Sequence, residues 1–156
     1  MSRDLFAVIR PDGTATLTGI ALVPRAPFTG PVIEKFLGQL QEQAAGGKLL
    51  VSFSGGKPPE EPWKIRLADV AAMVEQVQLV DGAVQVVAKL LQTPMGKLVF
   101  QALCARWKAD GSNGPSGFAF TVFAIGRTDA DGNAVIEDAH AVSLHLVETA
   151  LVEAAP

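Results

Sequence analysis

The sequence predicts an α+β fold: a mainly antiparallel sheet or barrel with two principal helices. Two observations predict it. The pairs Asp12-Gly13, Asp81-Gly82 and Asp131-Gly132 each separate two apolar runs, and Asp-Gly supplies the positive φ that tight antiparallel hairpins need. Two further segments open on proline and carry apolar residues at helical spacing, as amphipathic helices do. Antiparallel strands interrupted by a few helices make the class α+β.

The elements follow in order. Leu5 to Arg10 reads as a short strand, with Phe6, Val8 and Ile9 as its apolar residues. Pro11-Asp12-Gly13-Thr14 turns the chain into a partner strand, Thr14 to Val23. Pro24 and Pro27 then break the sheet, since proline cannot donate to a ladder. Thr29-Gly30-Pro31 starts the clearest helix, whose Val32, Ile33, Phe36, Leu37 and Leu40 share one face. Gly46-Gly47 ends it, because glycine adopts the left-handed C-terminal conformation cheaply. Lys48 to Phe53 is a strand and Ser54 to Pro62 an exposed loop. Leu67 to Val80 admits two readings. Leu67, Val70, Ala71, Val74 and Val77 fit a helix, while the β-branched run from Val74 fits a strand ending at Asp81-Gly82. The second half is read as strand because Ala83 to Leu91 then pairs with it across the turn. Thr93-Pro94 opens a second helix, Met95 to Lys108, with Leu98, Val99, Ala102, Leu103 and Arg106 at helical spacing. After the turn formers Asp110 to Ser116, the segments Gly117 to Arg127, Val135 to Asp138 and Ala141 to Glu148 complete the sheet.

The 156 residues suit one domain, 1–156, with no internal repeat and no linker. Apolar residues make up 49%; counting glycine, roughly 59% is apolar against about 45–50% in ordinary domains. This surplus suggests that part of the surface is covered by other chains. No run approaches the ~20 apolar residues of a membrane helix, and the N-terminus shows no signal-peptide pattern. A membrane partner is therefore not expected. The net charge is −3, and from Asp129 onward six carboxylates meet no Lys or Arg. Phosphate backbones require basic footprints, so no nucleic-acid partner is expected either. Cys104 is the sole cysteine. It excludes an internal disulfide and fits a reducing cytosol or a particle assembled there.

The candidate sites are individually weak. His140 and His145 are five apart, which in an unbroken strand places them on opposite faces, unable to share a metal without a bulge. Cys104 lies mid-helix beside Leu103 and reads as a buried structural cysteine, since a thiolate needs a nearby histidine or other cation and Arg106 and Lys108 are expected to point elsewhere. Ser52-Phe53-Ser54-Gly55-Gly56-Lys57 looks like a phosphate loop but lacks the spacing, and Pro58 stands where a helix should start. Gly111 to Gly117 carries Ser112 and Ser116 without a nucleophile elbow. Asp129, Asp131 and Asn133 alternate like the start of an EF-hand loop, but the closing glutamate position is His140. No catalytic, cofactor-binding or metal-binding residue is assigned, and no cofactor is expected.

Taken in order, several segments resemble the prohead proteases of tailed bacteriophages, the fold group that includes herpesvirus assemblin. The resemblance runs over residues 28–147. It is carried by Phe28-Thr29-Gly30-Pro31 before the helix Val32-Ile33-Glu34-Lys35-Phe36-Leu37, by Gly47-Lys48-Leu49-Leu50-Val51, and by Asp69-Val70-Ala71-Ala72-Met73-Val74-Glu75. It continues through the turn Asp81-Gly82, the strand Val84 to Leu91, Thr93-Pro94-Met95-Gly96-Lys97-Leu98 and the glycine-bounded strand Gly117 to Gly126. The resemblance implies a catalytic histidine in the loop after the 48–53 strand, where this chain reads Ser52 to Lys57. It implies a nucleophilic serine on the strand after the long helix, where the only hydroxyl in Gly117 to Phe123 is Thr121. Neither residue is in place, so the resemblance implies the fold without the protease.

The expected function is that of a bacteriophage virion structural protein, a capsid decoration or cement protein and not an enzyme. It would be assembled in the host cytoplasm and located on the capsid. Its expected partners are the major capsid protein and itself, as a dimer or trimer. Two alternatives stay open. One is a peptidase or other hydrolase with a rearranged site, drawing His140 or His145 together with Thr121, Ser116 or Ser143. The other is an internal head protein or scaffold-related assembly factor. The expected contact surfaces are the N-terminal strand Leu5 to Arg10 and the segment Leu144 to Ala150.

Overall fold

In the computed structural model, which describes residues 5–23, 30–53, 65–109 and 117–147, the turn chemistry sets the element order. The strands are β1 (Phe6–Ile9), β2 (Ala15–Leu22), β3 (Leu50–Ser52), β4 (Val70–Val80), β5 (Ala83–Leu90), β6 (Gly117–Thr128) and β7 (Ala134–Val147). The helices are α1 (Pro31–Ala45) and α2 (Pro94–Ala109), and one 3-10 turn covers Leu67–Asp69. All seven strands form one sheet in the order β1-β2-β5-β4-β3-β7-β6. Every ladder is antiparallel except β3–β7, a short parallel one pairing Val51 with Leu144 and Ser52 with His145.

Each Asp-Gly pair closes a hairpin. Asp81 and Gly82 adopt φ of 50° and 80°, the two positive values of a type I′ turn, whose twist matches the flanking strands. In the first hairpin the Asp12 carboxylate accepts the Thr14 backbone N–H at 2.9 Å and its hydroxyl at 2.6 Å. Those two bonds hold Asp12 below the ordinary carboxylate range. Helix α1 begins at Pro31 and ends where Gly47 takes φ of 68° and the Lys48 N–H reaches the Gln43 carbonyl at 2.9 Å. At α2, the Thr93 hydroxyl accepts the Gly96 N–H at 3.0 Å and donates to the Val70 carbonyl at 2.7 Å. One side chain thus caps the helix and ties it to β4.

Helix α1 buries Ile33, Phe36, Leu40 and Ala44. Phe36 meets Phe120 edge-on at a centroid distance of 5.7 Å, a favoured aromatic geometry. The core gathers this face with Leu17, Val51, Val74, Val84, Val86, Phe118, Leu144 and Leu146. The Phe118 ring lies beside Gly19 of β2, so the sheet curls until β2 and β6 touch. No ladder joins them among the described residues, and the sheet is open, not a barrel.

Two segments differ from the sequence reading for one reason. In β4 the ladder to β5 skips Glu75, between Val74 and Gln76. This bulge changes the parity of the strand, so Val74 and Val77 are both buried. Their three-residue spacing imitates a helix, yet Val70–Val80 is strand throughout. In β7 the ladder to β6 skips Glu137 and Val142. The two short strands expected over 135–148 are therefore one long strand, broken in periodicity but not in pairing.

Candidate functional site

The polar groups that stand out lie on β3, β6 and β7. Val51, Leu144 and Phe118 point into the main core. Their neighbours Ser52, His145 and Ala119 therefore occupy the opposite face, and the register aligns them across three strands. Ser143 lies two residues before His145 and pairs with Thr121. One face thus carries Ser52, His145, Ser143 and Thr121 together.

Three of these groups are buried, and Thr121 is half-buried. Ser52, His145 and Ser143 are 1%, 2% and 8% exposed. Among the described residues, neither hydroxyl and neither imidazole nitrogen of His145 has a hydrogen-bond partner. Burial pushes the His145 pKa down from 6.5 to about 4, because the charged ring would lose its hydration. The imidazole is neutral at pH 7. Ser143 also borders a crevice of about 210 Å³ walled by Leu50, Leu67, Val70 and Val142.

His140 behaves differently. The extra residue Val142 restores it to the same face as His145, since their partners on β6, Phe123 and Ala119, are four residues apart on a regular strand. The expectation of opposite faces is corrected by that bulge. The two rings still do not share a site: four strand residues span about 14 Å, and His140 is exposed. His140 Nε2 lies 3.0 Å from Asp138 Oδ2, and Lys35 Nζ of α1 lies 3.2 Å from Asp138 Oδ1. The hydrogen bond from Lys35 holds Asp138 below the usual carboxylate range. This trio fastens α1 to the β6–β7 hairpin.

The other candidates fall as follows. Cys104 is a free thiol on α2, half-buried where a buried structural cysteine was expected. The Asp129 carboxylate accepts the N–H groups of Asp131 and Asn133, both at 2.9 Å, which commits it to the turn. Ser54 to Lys57, Ser112 and Ser116 lie outside the described residues. Among the described residues, no cluster of three or more His, Cys, Asp or Glu could hold a metal, and no helix is long and apolar enough to cross a membrane. The sequence alone did not reveal Ser52 as a member of the polar face. Its signal, a serine at a buried strand position, becomes visible only once β3 is paired with β7.

No family model and no curated protein sequence matches this chain. Among solved structures it is similar to the capsid assembly protease of bacteriophage T4, gp21, with a TM-score of 0.61 at 15% identity. The match covers 94% of this chain and 91% of that one. At this identity the likeness is one of fold, and it extends over nearly the whole of both molecules; this chain's seven mostly antiparallel strands and two helices have a prohead-protease-like arrangement.

Proposed function

We propose that this protein is a structural component of a bacteriophage head, a decoration or cement protein that binds the lattice of the major capsid protein and braces it. Two things support the reading: a fold like that of a capsid assembly protease, and the state of the polar face. The second carries the distinction between structural protein and protease. A serine nucleophile needs a base within hydrogen-bond reach. Among the described residues, His145, Ser52 and Ser143 share a face without such a bond, and a ring of pKa about 4 is a poor base near neutrality.

The test is mass spectrometry of purified DNA-filled particles. A decoration protein is expected at a copy number close to that of the major capsid protein. Absence from mature particles would point to a scaffold-related factor and overturn the reading.

A second reading, a hydrolase with a rearranged site, is favoured by the same cluster. Unpartnered buried hydroxyls beside a neutral imidazole could draw together when a substrate enters the crevice at Ser143. A serine-directed covalent probe separates the two. The structural reading expects no stoichiometric labelling, whereas labelling lost in Ser143→Ala or Ser52→Ala would establish the hydrolase.

A further inference from the structure

Sheet edges invite pairing with other chains, and soluble proteins blunt them with charge, proline, bulges or brevity. The two edges of this sheet differ in that respect. β1 has four residues and is followed by Arg10 and Pro11. β6 has twelve, and Gly117 to Gly126 contains neither a charged residue nor a proline. Both bulges of the hairpin, at Glu137 and Val142, sit on the inner strand β7. The edge strand is left regular. Its distal half is uncovered, with Phe123 58% and Ile125 47% exposed on one face.

We propose that β6 is a self-association edge: two copies of this chain pair their β6 strands antiparallel about a two-fold axis at Ala124, joining two seven-stranded sheets into one. The occupant is a second copy because the strand is complementary to itself. In a continuous sheet, residues facing each other across the axis share a face. An axis at Ala124 sets Phe123 opposite Ile125 of the second copy, and Ile125 opposite its Phe123. Moving the axis to Ile125 would place Phe123 against Arg127, and moving it to Phe123 would place Ile125 against Thr121. Charge favours the same arrangement. Arg127, the one charged residue of β6, is bound to Glu137 at 2.7 Å and would face Thr121. The acidic tips at Asp129 and Asp131 would point in opposite directions, about 34 Å apart at ~3.4 Å per residue, well beyond the ~8 Å screening length. The inference stands apart from the head-protein reading, since self-pairing needs no capsid.

The test uses the full chain. Sedimentation equilibrium up to roughly 100 µM, a range that detects micromolar dimers, is expected to give twice the chain mass of 16.3 kDa. Ile125→Lys should weaken the dimer at least tenfold with an unchanged circular-dichroism spectrum, while Gln78→Lys on the exposed β4–β5 hairpin should leave it intact. In a Cys104→Ser background, Ala124→Cys should form a disulfide-linked dimer on oxidation, because facing Cα atoms across an antiparallel pair lie ~4.5–5.5 Å apart. Thr128→Cys, far from the axis, should not. A monomer throughout, a dimer indifferent to Ile125→Lys, or one abolished by Phe6→Lys alone would each overturn the proposal.

Discussion

His145 carries the main electrostatic liability of the described core. In the unfolded chain its imidazole titrates near 6.5; in the fold burial depresses that to about 4. Between those values the unfolded state binds the proton and the folded state does not, so stability is lost as pH falls from about 6.5 towards 4. Lowering the pH from 7 to 5 should remove on the order of 2 kcal/mol through this residue alone. Urea denaturation at the two pH values measures it. His145→Leu should flatten the dependence, and an unchanged dependence would show that other groups carry it. The burial of this histidine was not legible beforehand. Nothing in Ser143-Leu144-His145-Leu146 says that both faces of the strand are covered, which is a property of the assembled sheet.

Elements were legible where one periodicity ran unbroken. α1 declared itself through Ile33, Phe36 and Leu40 between Pro31 and the paired glycines, and β5 through its alternation after Asp81-Gly82. The reading faltered at β4 and β7, where one inserted residue in the first and two in the second exchange the buried and exposed positions. The expected contact segment starting at Leu144 shows the cost. Leu144–Val147 runs between β3 and β6 inside the sheet, not at an edge, and 148–150 lies outside the described residues. By contrast, β1 is an edge as expected. The start of α2 supplies a sharper test of element packing. A methyl group at Gly96 would overlap the Leu91 carbonyl oxygen and crowd that of Ala71. Gly96→Ala should therefore destabilise by about 2 kcal/mol or more despite alanine's better helix propensity. An unchanged melting temperature would mean that α2 can slide away from β5 freely.

For the molecule as a whole, the order of turns and helix starts was enough to anticipate an α+β sheet, and the family resemblance implied its prohead-protease-like arrangement. What the order could not give is strand adjacency. β3 contributes only Leu50–Ser52, too short for any pattern to announce its parallel partner near the far end of the chain. The polar face of Ser52, Ser143 and His145 exists only through that pairing, which is why the sequence offered isolated serines and histidines instead of a cluster. The surplus of apolar residues is resolved in part. Much of it covers both faces of the central strands, and a smaller share remains exposed at Phe6, Leu67, Leu98, Phe123 and Ile125.

That short parallel ladder also bears on the order of events in folding. The chain from β1 to β5 can pair through hairpins and neighbouring strands as it is made, whereas Val51 must wait for Leu144, about ninety residues later. The β6–β7 hairpin should form by itself and dock late. Substitutions at its seam, such as Leu144→Ala, should then speed unfolding while leaving the folding rate nearly unchanged, whereas Val86→Ala in β5 should slow folding. Stopped-flow kinetics would decide the order. Until docking is complete, the nascent molecule is a five-stranded sheet with the edge of β3 still open, and its last strand is the clasp.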